Sequence, residues 1–486
     1  MRKRLLSLAL AALMLTGCAG GKSSAPQSSA PTEQSGTSGS EKKQRTELTV
    51  AFLEKGPEVG IFDPKLYVKR FNDSQDEYTV KVADYADYAG EDDLYGDGMI
   101  AQFKRDVVAG KAPDIVVLND RGLVEMLSQK GAFADLDGFM ENDPEVNRDT
   151  LMPNVLKALE SSDGCLYSIS PQFKIRSAAV KKKFGQRENW TVREMIDFYD
   201  NAPSTADHLY DYKDSGDVFD SVLSGMDYLI DYGNAACHFD SDDFVDVLEF
   251  CSRFKNTEEL PDKLNTGEWE SYSYDRNTWL KNDRDIFESF MIEGRINNMW
   301  NKISQVRDMD FCEDITLVGY PSSNGHGGKI DPLEGFSILD TCPDKEGAWQ
   351  FIRYFFTKDA QSVNDKLGAS SNNRYAIIML RTRKDCFEEW LDTCRYFTEW
   401  SAEEQKFVKT YNYDTYEYHA EPLNDEDVDD LRRYVLSCDT VYNSFPSEVT
   451  KICMEEAESY FSGRCSARDA AEMIQNRASL WISEQS

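Results

Sequence analysis

An α/β fold is the class this sequence predicts, and three observations predict it. Ile115-Val116-Val117-Leu118 is an unbroken apolar quartet, preceded by Gly110-Lys111-Ala112-Pro113-Asp114 and followed by Asn119-Asp120. Such a run suits a strand buried on both faces, as in a parallel sheet. Around it, strand-like and helix-like segments alternate between residues 46 and 128, the order that lays helices against a parallel sheet. From Trp190 the pattern turns mostly helical, opening on Thr191-Val192-Arg193-Glu194, a capping box in which Thr and Glu each satisfy the other's free N–H.

The elements follow in order. Leu48 to Leu53 is apolar and partly β-branched, so it reads as a first core strand. Pro64 to Asn72 carries Leu66, Val68 and Phe71 at helical spacing, and Tyr78 to Val82 alternates as a strand does. Ile100 to Ala109 and Leu123 to Ser128 are read as helices. Phe244 to Phe254 continues the helical style, and Asp285 to Met291 is read the same way. Ile315 to Tyr320 and Gly335 to Leu339 return to strand, and Glu346 to Phe356 is an amphipathic helix. The last helix has Ser466 as N-cap, Asp469 at the third position, and Ala470, Ile474, Ala478 and Trp481 on one face.

Ahead of this body lies a different kind of sequence. Met1-Arg2-Lys3-Arg4 is followed by the apolar run Leu5 to Leu15 and then Thr16-Gly17-Cys18, the layout of a secretory leader. The run is about a dozen residues, and a helix needs about twenty to cross a bilayer. Leu15-Thr16-Gly17-Cys18 resembles the lipobox of bacterial lipoproteins. That resemblance implies cleavage before Cys18 and a diacylglycerol on its sulfur. Residues 1–17 are then leader, and 18–45, rich in Gly, Ser, Ala, Pro, Thr and Gln, a flexible tether. The mature protein is expected on the outer face of the cytoplasmic membrane, held by lipid.

About 440 residues remain, too many for one core, so two or three domains are expected. The net charge is −33, and loss of Arg2, Lys3 and Arg4 with the leader removes three positive charges and takes it to −36. Such a body repels phosphate backbones, which argues against nucleic acid. The acids are spread along the whole chain, which reads as a solvated acidic surface. The other ten cysteines show no CxxC pair and no Cys/His spacing that suits zinc, so they read mostly as small buried hydrophobes. Pairs such as Cys386 with Cys394, or Cys237 with Cys251, cannot be assigned from spacing.

Several short segments then fall in a telling order. They are Gly110 to Val116, Leu127 to Leu136, Asp163 to Ile169, Phe290 to Trp300, Lys345 to Ile352 and Ser466 to Gln475. Together, with the lipobox in front, they resemble the extracellular solute-binding proteins of ATP-binding-cassette importers, the type that includes maltose-binding protein. The resemblance covers roughly residues 46 to 486, and 201–285 and 384–445 match least and are expected as helical insertions. It implies a two-lobed fold of type II with a helix-rich second lobe and a hinged cleft. The first lobe is expected to comprise 46–168 plus 322–368, and the second 169–321 plus 369–486. Crossings are expected near Tyr167 to Gln172, Gly319 to Pro321 and Gly368 to Asn373. The implied partners are a sugar, the membrane-spanning permease subunits and the membrane through its lipid. A monomer without cofactor or metal is implied.

Ligand contacts are expected where strands end. Ligands of open α/β sheets bind at the carboxyl edge, which places Glu54 and Lys55 after the first strand and Asn119 and Asp120 after the buried quartet. Carboxylates and amides suit vicinal hydroxyls, because they accept or donate two hydrogen bonds in a plane. Gln172 follows the first expected crossing, Trp300 offers a flat platform for a pyranose face, and Phe336 lies in a later strand. Asn372, Asn373 and Arg374 fall at the third crossing.

Catalysis finds little support, since HExxH, GxSxG, Walker and dinucleotide-glycine patterns are all missing. The four histidines, His208, His238, His326 and His419, include no pair at i, i+4. Two alternatives stay open: the same fold with a peptide, polyamine or other cationic solute, and an extracellular glycan-acting enzyme on the same anchor.

Overall fold

A computed structural model of the chain describes residues 45–485 except 54–63, 91–95, 186–189, 203–207, 211–213, 233, 255–277, 279, 284, 294–300, 323–326, 363–378, 405, 415–418 and 443–444. The first stretch runs Thr46–Phe52 (β1), Pro64–Ser74 (α1), Tyr78–Val82 (β2), Asp97–Val108 (α2), Ile115–Val117 (β3) and Arg121–Gln129 (α3). Asp137–Glu141 (α4) and Pro153–Leu159 (α5) follow, and then Gln172–Lys181 (β4). A helix-rich stretch comes next: Val192–Asp200 (α6), His208–Tyr210 (β5), Ser215–Leu223 (α7), the hairpin Ile230–Asp231 (β6) and Ala236–Cys237 (β7), and Asp242–Cys251 (α8). Strands return with Asp285–Ile292 (β8), Ile315–Leu317 (β9), Lys329–Leu333 (β10) and Phe336–Ile338 (β11). After Lys345–Tyr354 (α9) come Leu380–Arg381 (β12) and Lys384–Thr393 (α10). The hairpins Phe397–Ser401 (β13) with Lys406–Thr410 (β14), and Tyr413–Asp414 (β15) with His419–Ala420 (β16), follow. The chain closes with Asp425–Ser437 (α11), Thr440–Val441 (β17), Ser447–Phe461 (α12) and Ala467–Gln485 (α13).

The first sheet has the strand order β11-β3-β1-β2. β1 is parallel to β2 and β3, and β11 runs antiparallel to β3. Its apolar runs are continuous because both faces are covered. β1 sends Leu48 and Val50 to one face and Ala51 and Leu53 to the other, and β3 divides Ile115 and Val117 from Val116 and Leu118 in the same way. Phe71 of α1 and Trp349 and Phe351 of α9 cover the first face, and Phe103 of α2 and Leu123 and Leu127 of α3 the second.

The second sheet is built on β4, ten residues long and buried along nearly its whole length. β10, β8, β9 and β12 all pair antiparallel with it, and β5 and β17 extend the edges. Helices α6, α7, α8, α12 and α13 pack around Trp190, Phe219, Phe244 and Ile474 in a core of their own. The predicted box is present: the Thr191 hydroxyl accepts the Glu194 N–H at 3.3 Å and the Glu194 carboxylate accepts the Thr191 N–H at 2.8 Å.

Three expectations are corrected. Residues 285–291 form a strand and not a helix, because β8 lies between β4 and β5. Ile286, Phe287, Glu288 and Ile292 are all buried there, so neighbours on both sides erase the period of two. The 384–445 stretch is not purely helical, since β13–β14 and β15–β16 interrupt it. Gly319 to Pro321 does not link the sheets: the Gly319 N–H donates to Ala178 O of β4 at 3.0 Å, and its carbonyl accepts Trp190 Nε1 at 3.2 Å.

Ten cysteines from Cys165 to Cys465 are free, and seven of them are buried. Burial pushes Cys386, Cys394 and Cys438 up to about 12, with Asp385 adding to the effect at Cys386. Thiolate is then scarce, and the thiolate is the reactive form. Dithiothreitol is therefore expected to leave the calorimetric Tm unchanged, and a fall of several degrees would reveal a disulfide.

Candidate functional site

The two sheets meet where strands pass between them. Ile169 and Phe336 exchange backbone hydrogen bonds of 3.1 and 2.8 Å, so the outgoing and returning chains run side by side. The Ser170 hydroxyl donates to Gln172 O at 2.6 Å and accepts the Leu333 N–H at 3.1 Å. A third segment joins them: the Thr382 N–H donates to Pro171 O at 3.2 Å, and its hydroxyl to Ser170 O at 2.6 Å. The crossing expected at Tyr167 to Gln172 is therefore present, and the return lies at Leu333–Phe336. Gly368 to Asn373, with Asn372, Asn373 and Arg374, falls outside the described residues.

Each crossing contributes one side chain to a buried polar cluster. Gln172 Nε2 donates to both carboxylate oxygens of Glu334, at 2.8 and 2.7 Å, and Arg381 Nη1 donates to Gln172 Oε1 at 3.0 Å. Glu334 holds φ at +60°, a left-handed conformation that costs a side-chain-bearing residue free energy. Next to it, Gly335 leaves no space for a side chain, since a Cβ there would lie 2.4 Å from Leu118 O. The Gly335 N–H donates to Asn119 Oδ1 at 2.8 Å, so Asn119 is tied to the same junction.

Asp120 begins α3, at the carboxyl edge of the first sheet. Its carboxylate accepts the Leu123 N–H at 2.8 Å as an N-cap. The backbone N–H of Ser447, the first residue of α12, lies near enough to favour the charged form of this carboxylate. Burial raises the Asp120 pKa, and the Leu123 hydrogen bond, the Ser447 N–H and Lys104 only partly oppose this. Arg121 is buried; Nη2 donates to Ser161 Oγ at 3.2 Å and lies 3.6 Å from Glu125. At Gly122 the helix touches the other core directly: a Cβ would lie 2.5 Å from Pro446 N and 2.7 Å from Pro446 Cδ.

The expected residues thus divide. Asn119, Asp120 and Gln172 gather at the junction. Phe336 is a correction: it is fully buried in β11, stacked on Phe355 at 5.1 Å and packed edge-on to Phe351, so its ring serves the core. Glu54, Lys55, Trp300 and Cys18 lie outside the described residues. Sequence reasoning missed Glu334, Arg381 and Gly122. Nothing in the local sequence marks Glu334 or Arg381, whose roles arise from pairing across 162 and 209 residues.

A separate groove of about 850 Å³ lies wholly on the second half, among Lys182, Arg307, Cys312, Glu313, Glu421 and Asp427. Arg307 pairs there with Asp308 and Asp427. Among the described residues no group of three or more His, Cys, Asp or Glu is arranged to hold a metal, and no helix is long and apolar enough to cross a membrane. The junction's donors and acceptors at Gln172, Glu334, Arg381 Nη1 and Asn119 are paired with one another across the crossings.

Comparison with known proteins bears on this architecture. The MalE sugar-binding protein of Xanthomonas citri superposes with a TM-score of 0.53 at 14% identity, over 90% of this chain and 98% of that one. A family 1 extracellular solute-binding protein from Alicyclobacillus acidocaldarius gives 0.50 at 14%, over 90% and 99%. A periplasmic solute-binding protein from Pectobacterium atrosepticum gives 0.50 at 13%, over 90% and 99%. No curated protein matches the chain. At these identities the likeness concerns the fold, the two-lobed type II arrangement. Residues 67–369 match the model of the bacterial extracellular solute-binding proteins, and the chain belongs to that family.

Proposed function

We propose that this protein captures a carbohydrate, an oligosaccharide by preference, between its two lobes and delivers it to the membrane permease of an ATP-binding-cassette importer. The observation that carries the proposal is the junction itself. Paired crossing strands link two sheets, and the carboxyl edge of the first, at Asn119 to Gly122, faces Pro446–Ser447 of the second core. A guest held there touches both lobes and favours the closed form by its differential affinity for that form. Asn119, Asp120 and Gln172 supply hydroxyl partners in this reading, and Glu54, Lys55 and Trp300 are assigned to the same cleft. The lobes are assigned as expected, 46–168 plus 322–368 and 169–321 plus 369–486, except that the return at Leu333–Phe336 gives β10 to the second lobe.

Carbohydrate is the first class to test because the Xanthomonas protein that shares the fold is a sugar binder. The expected result is a Kd near micromolar for at least one glycan in an isothermal titration panel, a binding free energy of about −8 kcal/mol. Failure of every sugar, with binding of a peptide or polyamine, would transfer the assignment to a cationic solute, as the charge of −33 suggests. Product formed in excess over protein would instead identify an enzyme. Lipid attachment at Cys18, which holds the protein on the outer face of the membrane in this reading, has its own test. Labelled palmitate is expected to enter the wild type and not Cys18→Ser, and equal labelling of both would refute the anchor.

A further inference from the structure

The even-numbered residues of β4 share one face of the second sheet. At the far end of the strand that face is core, where Ala178 and Val180 pack with the helices. Towards the junction it turns polar and carries Gln172, Lys174 and Arg176, the last two half-buried. Pairing adds three more residues to the face: Arg381 of β12 opposite Gln172, and Met291 of β8 and Lys329 of β10 opposite Arg176. Four cations therefore share one face of a sheet in a chain of charge −33. Two of them are engaged. Lys329 is fully buried with Nζ on Thr440 Oγ1 at 2.9 Å, and Arg176 donates to Asp331 at 2.9 Å with its guanidinium 4.2 Å over the Tyr442 ring. The other two meet no carboxylate among the described residues. Lys174 Nζ lies 4.0 Å from the Met291 sulfur. Arg381 uses only Nη1, on the uncharged Gln172 oxygen, and its Nε is buried without an acceptor.

We propose that Arg381 and Lys174 form a subsite for a carboxylate, and that the captured saccharide is an acidic one carrying a uronate. The subsite rests on the carbohydrate reading and narrows it to one class of sugar. A guanidinium keeps its charge at every working pH, and its Nε–Nη2 edge is one that a carboxylate grips by two parallel hydrogen bonds. In Arg381 that edge has no acceptor. A buried donor left unpaired costs free energy, which an oxyanion of the solute recovers. Lys174 stands on the neighbouring strand at the diagonal position of the same face, about 7–8 Å away between backbones. A lysine side chain covers that span, so both cations act on one group. Met291, 36% exposed, sets an apolar surface beside Lys174, suited to the C–H face of a sugar ring. The row starts at Gln172, where the crossings meet and Asn119 at the carboxyl edge of the first sheet is tied to Gly335. Ligands of open α/β sheets bind at that edge.

Isothermal titration of the full chain against matched pairs tests this. The pairs are uronate oligosaccharides and their methyl esters, which keep ring and linkage and lose the charge. At least one uronate is expected to bind about tenfold or more tighter than its ester, the scale of one charge-assisted hydrogen bond, and added salt is expected to narrow the gap. Arg381→Gln is expected to weaken the uronate about tenfold and leave the ester unchanged. Lys174→Gln, at a more open position, is expected to weaken it about threefold. An Arg381 that only holds Gln172 in place would weaken acid and ester alike, and that result would overturn the subsite. An ester or neutral glucan that binds as tightly as the acid would also overturn it while leaving the carbohydrate reading intact. A sulfated glycan preferred over every uronate would overturn the carboxylate assignment. Binding of no glycan, charged or neutral, would bring down both readings together, so the two failures are told apart. If Arg381→Gln fails to fold by circular dichroism, Lys174→Gln decides: an unchanged preference for the acid refutes the subsite.

Discussion

Asp143→Ala is expected to destabilise the protein by about 3–5 kcal/mol, the range for breaking a buried ionic partnership. The Asp143 side chain is 4% exposed and anchors four groups. It accepts Trp349 Nε1 at 3.1 Å, Arg353 through Nε and Nη2, and the backbone N–H groups of Glu145 and Val146, both at 2.9 Å. Alanine leaves three N–H donors without their acceptor and the Arg353 guanidinium with Glu145 alone, at 3.4 Å, between α4 and α9. Burial alone would raise the Asp143 pKa, but Arg353 and the two backbone donors outweigh it and hold the carboxyl below its ordinary value. A depressed folded pKa adds stability that is fully present above the unfolded value of about 3.9 and fades as pH falls through the folded one. Urea unfolding at pH 7 and pH 3 tests both parts. The variant should lose less stability than wild type on acidification, and a cost under about 1 kcal/mol at pH 7 would refute the role.

Glu334→Ala is expected to cost about 2–3 kcal/mol and to loosen the junction. The substitution strips the buried Gln172 amide of both carboxylate oxygens, a loss of roughly 1–3 kcal/mol for unsatisfied donors. It also keeps the left-handed backbone at φ +60° without a side-chain bond to hold it. Glu334→Gly loses the same bonds but accepts that backbone freely, so it should be about 1 kcal/mol less damaging than alanine. Denaturation curves for the two variants give the comparison, and equal losses would show that the backbone conformation carries no cost. Hydrogen exchange at Gln172 and Phe173 should quicken in both.

The first sheet was legible because its strands obey local rules. Tyr78–Val82 alternates, and Ile115-Val116-Val117 is apolar throughout because helices cover both faces. The second sheet was mostly illegible. Phe287, Phe290 and Met291 fall at helical spacing, and only pairing with β4 and β5 makes that segment a strand. β4 itself was unread, although every later strand of that sheet except β5 and β17 pairs with it directly. At the junction, Asn119, Asp120 and Gln172 were found because they follow strand ends or a crossing. Gly122, Glu334 and Arg381 act through partners far away in sequence, and no local pattern encodes that. Phe336 was misjudged because burial depends on α9 and its C-cap, where Phe351 and Phe355 close over it.

The strand that completes the first sheet, β11, comes from residues 336–338, while the other three are finished by residue 117. More than two hundred residues, nearly all of the second core's first portion, are thus spelled out before the first sheet can be sealed. Neither half can be finished as the chain is made, because each waits for material from beyond the other. Such interleaving raises contact order and slows folding. A nascent chain arrested before residue 336 should therefore remain protease-sensitive.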